Sequence, residues 1–264
     1  MFDEIICIGT SFTEGHGLHP RANKDIVDWY KKNKNISIDI NKHSYPSVLS
    51  ELTNTTVTNY GWCGSSLDYV VRKADELFYE EDLSNKLLIL EYSNYGRNEL
   101  YSTKYEQYIV ANWGATDGHD IKKSGYATML TIDYFKEYVN TAEIDWDFSE
   151  EIKLYNKFLN SFQDEKLELI RKDRMFINFL HKLDYYNVKF LVLPLQKFFT
   201  DDIKNNELVT KYTVDVTEDG MYGFVSEKKL RIMDDTNGEI GDGHPAPDGY
   251  RLIAKQIHNS IKKL

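Results

Sequence analysis

Three short apolar runs constrain this chain more than any other feature. Residues 4–8, 87–90 and 188–195 are each too short for a helix and are apolar almost throughout, and they end at Gly9, Glu91 and the Pro194-Leu195 pair. Runs that are apolar on successive residues, without alternation, predict strands covered on both faces. The segments between them carry helical spacing. Leu67 to Phe78 is one, and Leu252, Ile253, Ile257 and Ile261 mark another near the C-terminus. From 150 to 186, Leu154, Phe158, Leu159, Phe162, Leu169, Met175, Phe176, Phe179, Leu180 and Leu183 recur three or four residues apart. Ser44-Tyr45-Pro46 predicts a helix start with proline in its first turn, and residues 55–59 predict a β-branched strand. Strands that alternate with helices in this way predict a three-layer α/β/α sandwich around a mostly parallel central sheet.

The polar stretches 19–43 and 200–240 read as surface loop. Residues 100–148 are rich in Tyr, hold several Gly and show no core periodicity, so they read as an insertion over the sheet. With 264 residues and neither a repeat nor a Pro/Ser linker, residues 1–264 are expected to form a single domain. The high aromatic content is taken first as core material.

Net charge is −10, which disfavours phosphate neutralisation, so neither nucleic acid nor an anionic membrane is an expected partner. The N-terminus has no basic, apolar leader, and no run approaches the roughly 18 apolar residues of a membrane span. The expectation is a cytoplasmic protein, or part of a particle assembled in a cytoplasm. Both cysteines, Cys7 and Cys63, lie in apparent core segments and read as reduced small hydrophobes.

Ligands of a parallel sheet bind beyond the carboxyl ends of its strands. The first run ends in Gly9-Thr10-Ser11-Phe12-Thr13-Glu14-Gly15. A glycine there permits a sharp turn that lifts the Ser11 hydroxyl to the sheet edge beside backbone N–H groups, which is what acyl transfer requires. Near the other end stands Asp242-Gly243-His244-Pro245. An imidazole can take the serine proton and a carboxylate can fix its tautomer. Side chains two residues apart share a side only in extended backbone, or where Gly243 adopts unusual dihedrals. The remaining histidines show no metal-ligand spacing, and no metal is expected.

With both ends in view, the chain resembles the SGNH hydrolase superfamily, which includes the GDSL esterases, in four short blocks spread over nearly its whole length. The first, Ile8 to Gly15, is similar to the family's Gly-Asp-Ser block with Thr10 in place of Asp. The second, Asn59-Tyr60-Gly61-Trp62-Cys63-Gly64, is similar to an Asn-x-Gly-x-x-Gly turn whose second glycine donates its N–H to the oxyanion. The resemblance gives that role to Gly64, alongside the N–H of Ser11. The third block completes the hole with an asparagine side chain, and two residues fit it. Asn98 has the motif spelling in Gly96-Arg97-Asn98-Glu99, and Asn94 has the position at the strand end. Arg97 reads as a surface charge. The fourth is His244-Pro245, where the family's Asp three residues earlier is Gly241 here. Asp242 is then the nearest substitute, and Asp234, Asp235 and Glu239 are further candidates.

The resemblance implies a serine ester hydrolase working through a Ser11–His244(–Asp242) acyl-enzyme, without cofactor. Its expected partner is a small-molecule or glycan ester, most specifically an O-acetylated carbohydrate. Oligomeric state stays open. One alternative is a non-catalytic glycan-binding or particle-structural protein on the same fold, favoured by Gly241. Another is a flavodoxin-like mononucleotide binder, which leaves His244-Pro245 unexplained.

Overall fold

The computed structural model describes residues 2–18, 24–93, 96–103, 107–112, 128–131, 154, 157, 165–198 and 200–264. Its centre is a four-stranded sheet formed by β1 (Glu4–Gly9), β2 (Thr56–Gly61), β3 (Lys86–Tyr92) and β7 (Lys189–Pro194). The order is β2-β1-β3-β7, and every pairing is parallel. Gly9 pairs with Gly61, and Tyr92 with Pro194, so the carboxyl ends form one rim. The chain leaves β1 first to one side and then to the other. The crevice between the ends of β1 and β3 is therefore the topological switch point, where such sheets bind ligands.

The apolar runs are buried on both sides. Ile5, Cys7, Leu87, Ile89, Leu191 and Leu193 face one core, and Ile6, Ile8, Leu88, Leu90, Phe190 and Val192 face the other. Each such side chain removed from water stabilises the fold by about 1.5–3 kcal/mol. Covering the first core are α2 (Lys24–Lys34), α4 (Tyr45–Thr53), α9 (Gly220–Glu227) and α11 (Pro247–Ile261). Covering the second are α5 (Leu67–Glu80), α6 (Glu165–Tyr185), α7 (Asp201–Lys204) and α8 (Glu207–Tyr212). Short helices α1 (Ser11–Glu14), α3 (Ile40–His43) and α10 (Ile232–Asp235) join them. The result is the three-layer α/β/α sandwich with a parallel central sheet.

Local sequence accounts for several boundaries. Ser66 caps α5 by accepting the Tyr69 N–H, and Pro46 and Pro247 sit in the first turns of α4 and α11. β2, at the sheet edge, is the least buried of the four strands, which explains its threonines.

Two polar stretches differ from expectation. Residues 19–43 contain α2 and α3, and residues 200–240 contain α7 to α10. Apart from α9, where Met221, Phe224 and Val225 are buried, these helices bury few residues: Ile26 and Tyr30 in α2, Ile203 in α7, Ile232 in α10. So narrow a stripe leaves little periodicity to read. The helical segment expected over 150–186 forms α6 over its second half. Leu154 is exposed, and Phe158, Leu159 and Phe162 lie outside the described residues. Within the expected insertion, β4 (Arg97–Ser102), β5 (Gln107–Asn112) and β6 (Thr128–Thr131) form a separate antiparallel sheet that begins slightly before residue 100. Among the described residues, no helix is long and apolar enough to cross a membrane.

Candidate active site

Ser11 opens α1 immediately past β1 and is 8% exposed. Its turn is fastened from below. The Thr10 and Thr13 hydroxyls both donate to the carboxylate of Glu91, with Thr13 Oγ1 at 2.5 Å, and Thr13 Oγ1 also pairs with the Tyr45 hydroxyl at 2.9 Å. Glu91 is wholly buried near the end of β3. Burial pushes its carboxyl above the usual range, against the pull of the two threonine hydrogen bonds. Along the chain Glu91 marks only the end of an apolar run. Its visible signal is a lone carboxylate closing an otherwise apolar strand.

The second block supports the same turn from the side. Asn59 Nδ2 donates to the Thr13 carbonyl at 3.0 Å, and its Oδ1 accepts the Gly61 N–H at 2.7 Å. A Cβ on Gly61 would lie 2.1 Å from Glu14 N, so only glycine lets α1 sit this close to β2. The loop then runs back to β1: Trp62 N–H and Ser65 Oγ both donate to the Gly9 carbonyl, at 2.9 and 3.1 Å. Gly64 lies within it, buried and at φ 81°, which glycine adopts without strain.

His244 stands over the other side of α1. Its ring centroid is 5.4 Å from Phe12 and 5.4 Å from His16, and a Cβ on Gly17 would lie 2.7 Å from His244 Cβ. Tyr222, at the N-terminal end of α9, packs on Phe12 at 6.3 Å and extends this aromatic wall. Among the described residues, no hydrogen bond joins the Ser11 hydroxyl to His244, and the two are linked through Phe12, which follows Ser11 and packs on the His244 ring.

Asp242 does meet His244. Asp242 Oδ1 accepts both the His244 backbone N–H and Nδ1, each at 2.7 Å. This is an Asx-type turn, in which the carboxylate reaches two residues forward. Gly243 takes no positive φ, so the pair meets without a left-handed glycine between them. Burial pushes the Asp242 carboxyl up, but hydrogen bonds and charge from His244, together with His16, bring it below its usual value. The loop is held by backbone bonds from Ile232 N to His244 O and from Met233 N to Asp242 O, each 2.9 Å. The other carboxylates are engaged elsewhere: Asp234 with Arg231, Asp235 with Lys34 at 2.7 Å, and Glu239 with Trp29 Nε1 at 2.9 Å.

Of the two asparagines, Asn94 lies outside the described residues, and Asn98 is buried as the second residue of β4. Arg97, expected as a surface charge, is partly buried and donates to the Ser65 carbonyl at 3.3 Å. Cys63 is likewise not a core residue. It is a partly exposed free thiol in the Gly64 loop, whereas Cys7 is fully buried. Cys63 meets His16, and Glu14 lies 3.5 Å from His16 Nδ1. Burial pulls the His16 imidazolium down, but contacts with Cys63 and Glu14 outweigh it and raise His16 to about 10. The segments that carry Cys63 and His16 are almost fifty residues apart, so nothing local in the sequence joins them.

The fold and these residues together define an open parallel sheet with a serine just past its first strand and a histidine–carboxylate pair packed on the helix that this serine opens. No family model matches the chain, and no curated protein does. Among solved structures, the chain is similar to a lipolytic protein of the G-D-S-L family from Desulfitobacterium hafniense (12% identity, 98% of this chain and 99% of that one, TM-score 0.39). It is also similar to a lipolytic G-D-S-L family member from Veillonella parvula (14%, 99% and 99%, 0.41). A third is the psychrotrophic esterase EstA from Pseudoalteromonas, in a structure inhibited by monoethylphosphonate (12%, 99% and 97%, 0.39). At this level of likeness the chemistry must come from this chain's own residues.

Proposed function

We propose that this protein is a serine ester hydrolase of the SGNH kind, with Ser11 as nucleophile, His244 as general base and Asp242 as the group that orients it. The observation that carries the reading is the Asp242–His244 pair, set against the helix that Ser11 opens. With Nδ1–H held by the carboxylate, Nε2 is the free basic nitrogen. It takes the Ser11 proton as Oγ attacks an ester carbonyl, then returns that proton to the leaving alcohol. Water repeats the sequence on the acyl-enzyme. In uncomplexed sites the serine–histidine hydrogen bond is often long and tightens once substrate is bound. The N–H groups of Ser11 and Gly64, with Asn94 or Asn98, receive the oxyanion. Loss of one such donor costs about 10²–10³ in rate.

The substrate is proposed to be a short acyl ester on a carbohydrate. Support comes from Tyr101 and Tyr108, exposed neighbours across the second sheet with ring centroids 5.3 Å apart. Tyr105, Trp113 and Tyr126, also candidates for sugar stacking, lie outside the described residues. The test is turnover of p-nitrophenyl acetate by wild type beside Ser11→Ala and His244→Ala, with fluorophosphonate labelling of Ser11. Turnover lost in both variants upholds the proposal. An inert wild type that also resists labelling overturns it and leaves glycan binding without hydrolysis.

A further inference from the structure

The turn after α1 and the loop after β2 bring together three side chains that hydrolysis does not use: Glu14, His16 and Cys63. One donor atom of each, a carboxylate oxygen, an imidazole nitrogen and a sulfur, lies within 4.8 Å of the other two. All three are partly buried. Glu14 Oε2 is shielded from solvent and accepts no hydrogen bond, although it lies 3.5 Å from His16 Nδ1. The His16 imidazolium balances this carboxylate only at ion-pair distance, and a divalent cation taking the place of its proton would bind the oxygen directly.

The donor types narrow the choice. Thiolate and imidazole exclude hard ions such as Mg²⁺ and Ca²⁺, which take oxygen ligands. A tetrahedral ion with bonds of about 2.0–2.3 Å sets its ligand atoms roughly 3.3–3.8 Å apart. The cluster reaches that spacing by closing about an ångström, within the rotamer freedom of partly exposed side chains. Its backbone is already held: Gly61 packs against Glu14 N, and the Cys63 loop is tied to the Gly9 carbonyl on both sides of the thiol.

We propose that Glu14, His16 and Cys63 form a three-ligand site for a borderline divalent cation of the Zn²⁺ class, with the fourth position left to water. Binding releases two protons to solvent, that of the Cys63 thiol and the extra one of the His16 imidazolium, because thiolate and neutral imidazole are the ligands. The bound ion ties the α1 turn to the loop that carries Gly64. The site shares one wall with the hydrolase centre, since His16 packs against His244, but it uses none of the three residues assigned to hydrolysis.

Co²⁺ titration of the full-length protein after EDTA treatment tests this directly. A thiolate-to-cobalt charge-transfer band in the near ultraviolet should saturate at one equivalent and be bleached by Zn²⁺. Cys63→Ser should abolish the band, while Cys7→Ala retains it. His16→Ala and Glu14→Gln should weaken Co²⁺ binding by at least the roughly 10–100-fold that loss of an outer-shell partner costs. Circular dichroism of each variant separates loss of the site from loss of the fold. Absence of the band at saturating Co²⁺ in folded wild type, or its survival in Cys63→Ser, overturns the proposal. Neither result depends on esterase activity, so the two proposals fail separately.

Discussion

Replacing Asp242 by alanine removes one oxygen that accepts two 2.7 Å hydrogen bonds from His244, one from the backbone and one from the ring. Both losses act on the same imidazole. Without the ring bond, Nδ1 and Nε2 compete for the neutral ring's proton, and the base needed at Ser11 is present for only part of the time. Without the charge, the imidazolium formed during attack loses its partly buried counter-ion. In Ser-His-Asp sites generally, removing the orienting carboxylate costs about 10⁴ in kcat, or roughly 5 kcal/mol at 1.36 kcal/mol per decade. The same fall is expected in kcat for p-nitrophenyl acetate with Asp242→Ala, with little change in KM, because Asp242 acts through His244. Asp234→Asn and Glu239→Gln serve as controls, since those carboxylates bond to Arg231 and Trp29. An Asp242→Ala enzyme within about tenfold of wild type would refute the reasoning and leave a Ser11–His244 dyad.

Other expectations follow from the packing. Gly61→Ala sets a methyl 2.1 Å from one backbone atom of α1 and 2.5 Å from another, so urea denaturation should reveal a loss beyond the usual ~1–3 kcal/mol of overpacking. An unchanged midpoint would mean that α1 moves freely on β2. Glu91 is held with its carboxyl pKa raised, so its contribution to stability is complete below the unfolded value of about 4.3 and is lost as pH rises through the folded value. Glu91→Gln should therefore gain melting temperature relative to wild type as pH goes from 4 to 8, and parallel curves would contradict this. Lys172 is 1% exposed on α6, with Asp68 at 3.3 Å as its counter-ion. Asp68→Ala should cost about 3–5 kcal/mol, and adding Lys172→Met should recover much of it. Failure of that recovery would show that the loss does not come from the stranded ammonium.

Much of this molecule is legible along the chain. The strands β1, β3 and β7 are continuous apolar runs because they are covered on both faces, and α5 and α11 announce themselves by periodicity. Ser11 and His244 stand out as candidates because a serine just past a strand and a histidine before the last helix each sit in a recognisable local setting. These are properties of neighbours in sequence. Helices such as α7 and α10 bury one residue each, and their stability comes from the surface they meet. Glu91 under Thr10 and Thr13, Asn59 on Thr13, and the meeting of Glu14, His16 and Cys63 join residues from about fifty to eighty positions apart. Asp242 marks the boundary: its residue type was readable, but whether its carboxylate reached His244 depended on a turn held by residues 232 and 233. Sequence determines which side chains each segment can offer to a rim. The crossovers, and the close approaches that glycines permit, decide which of them meet there.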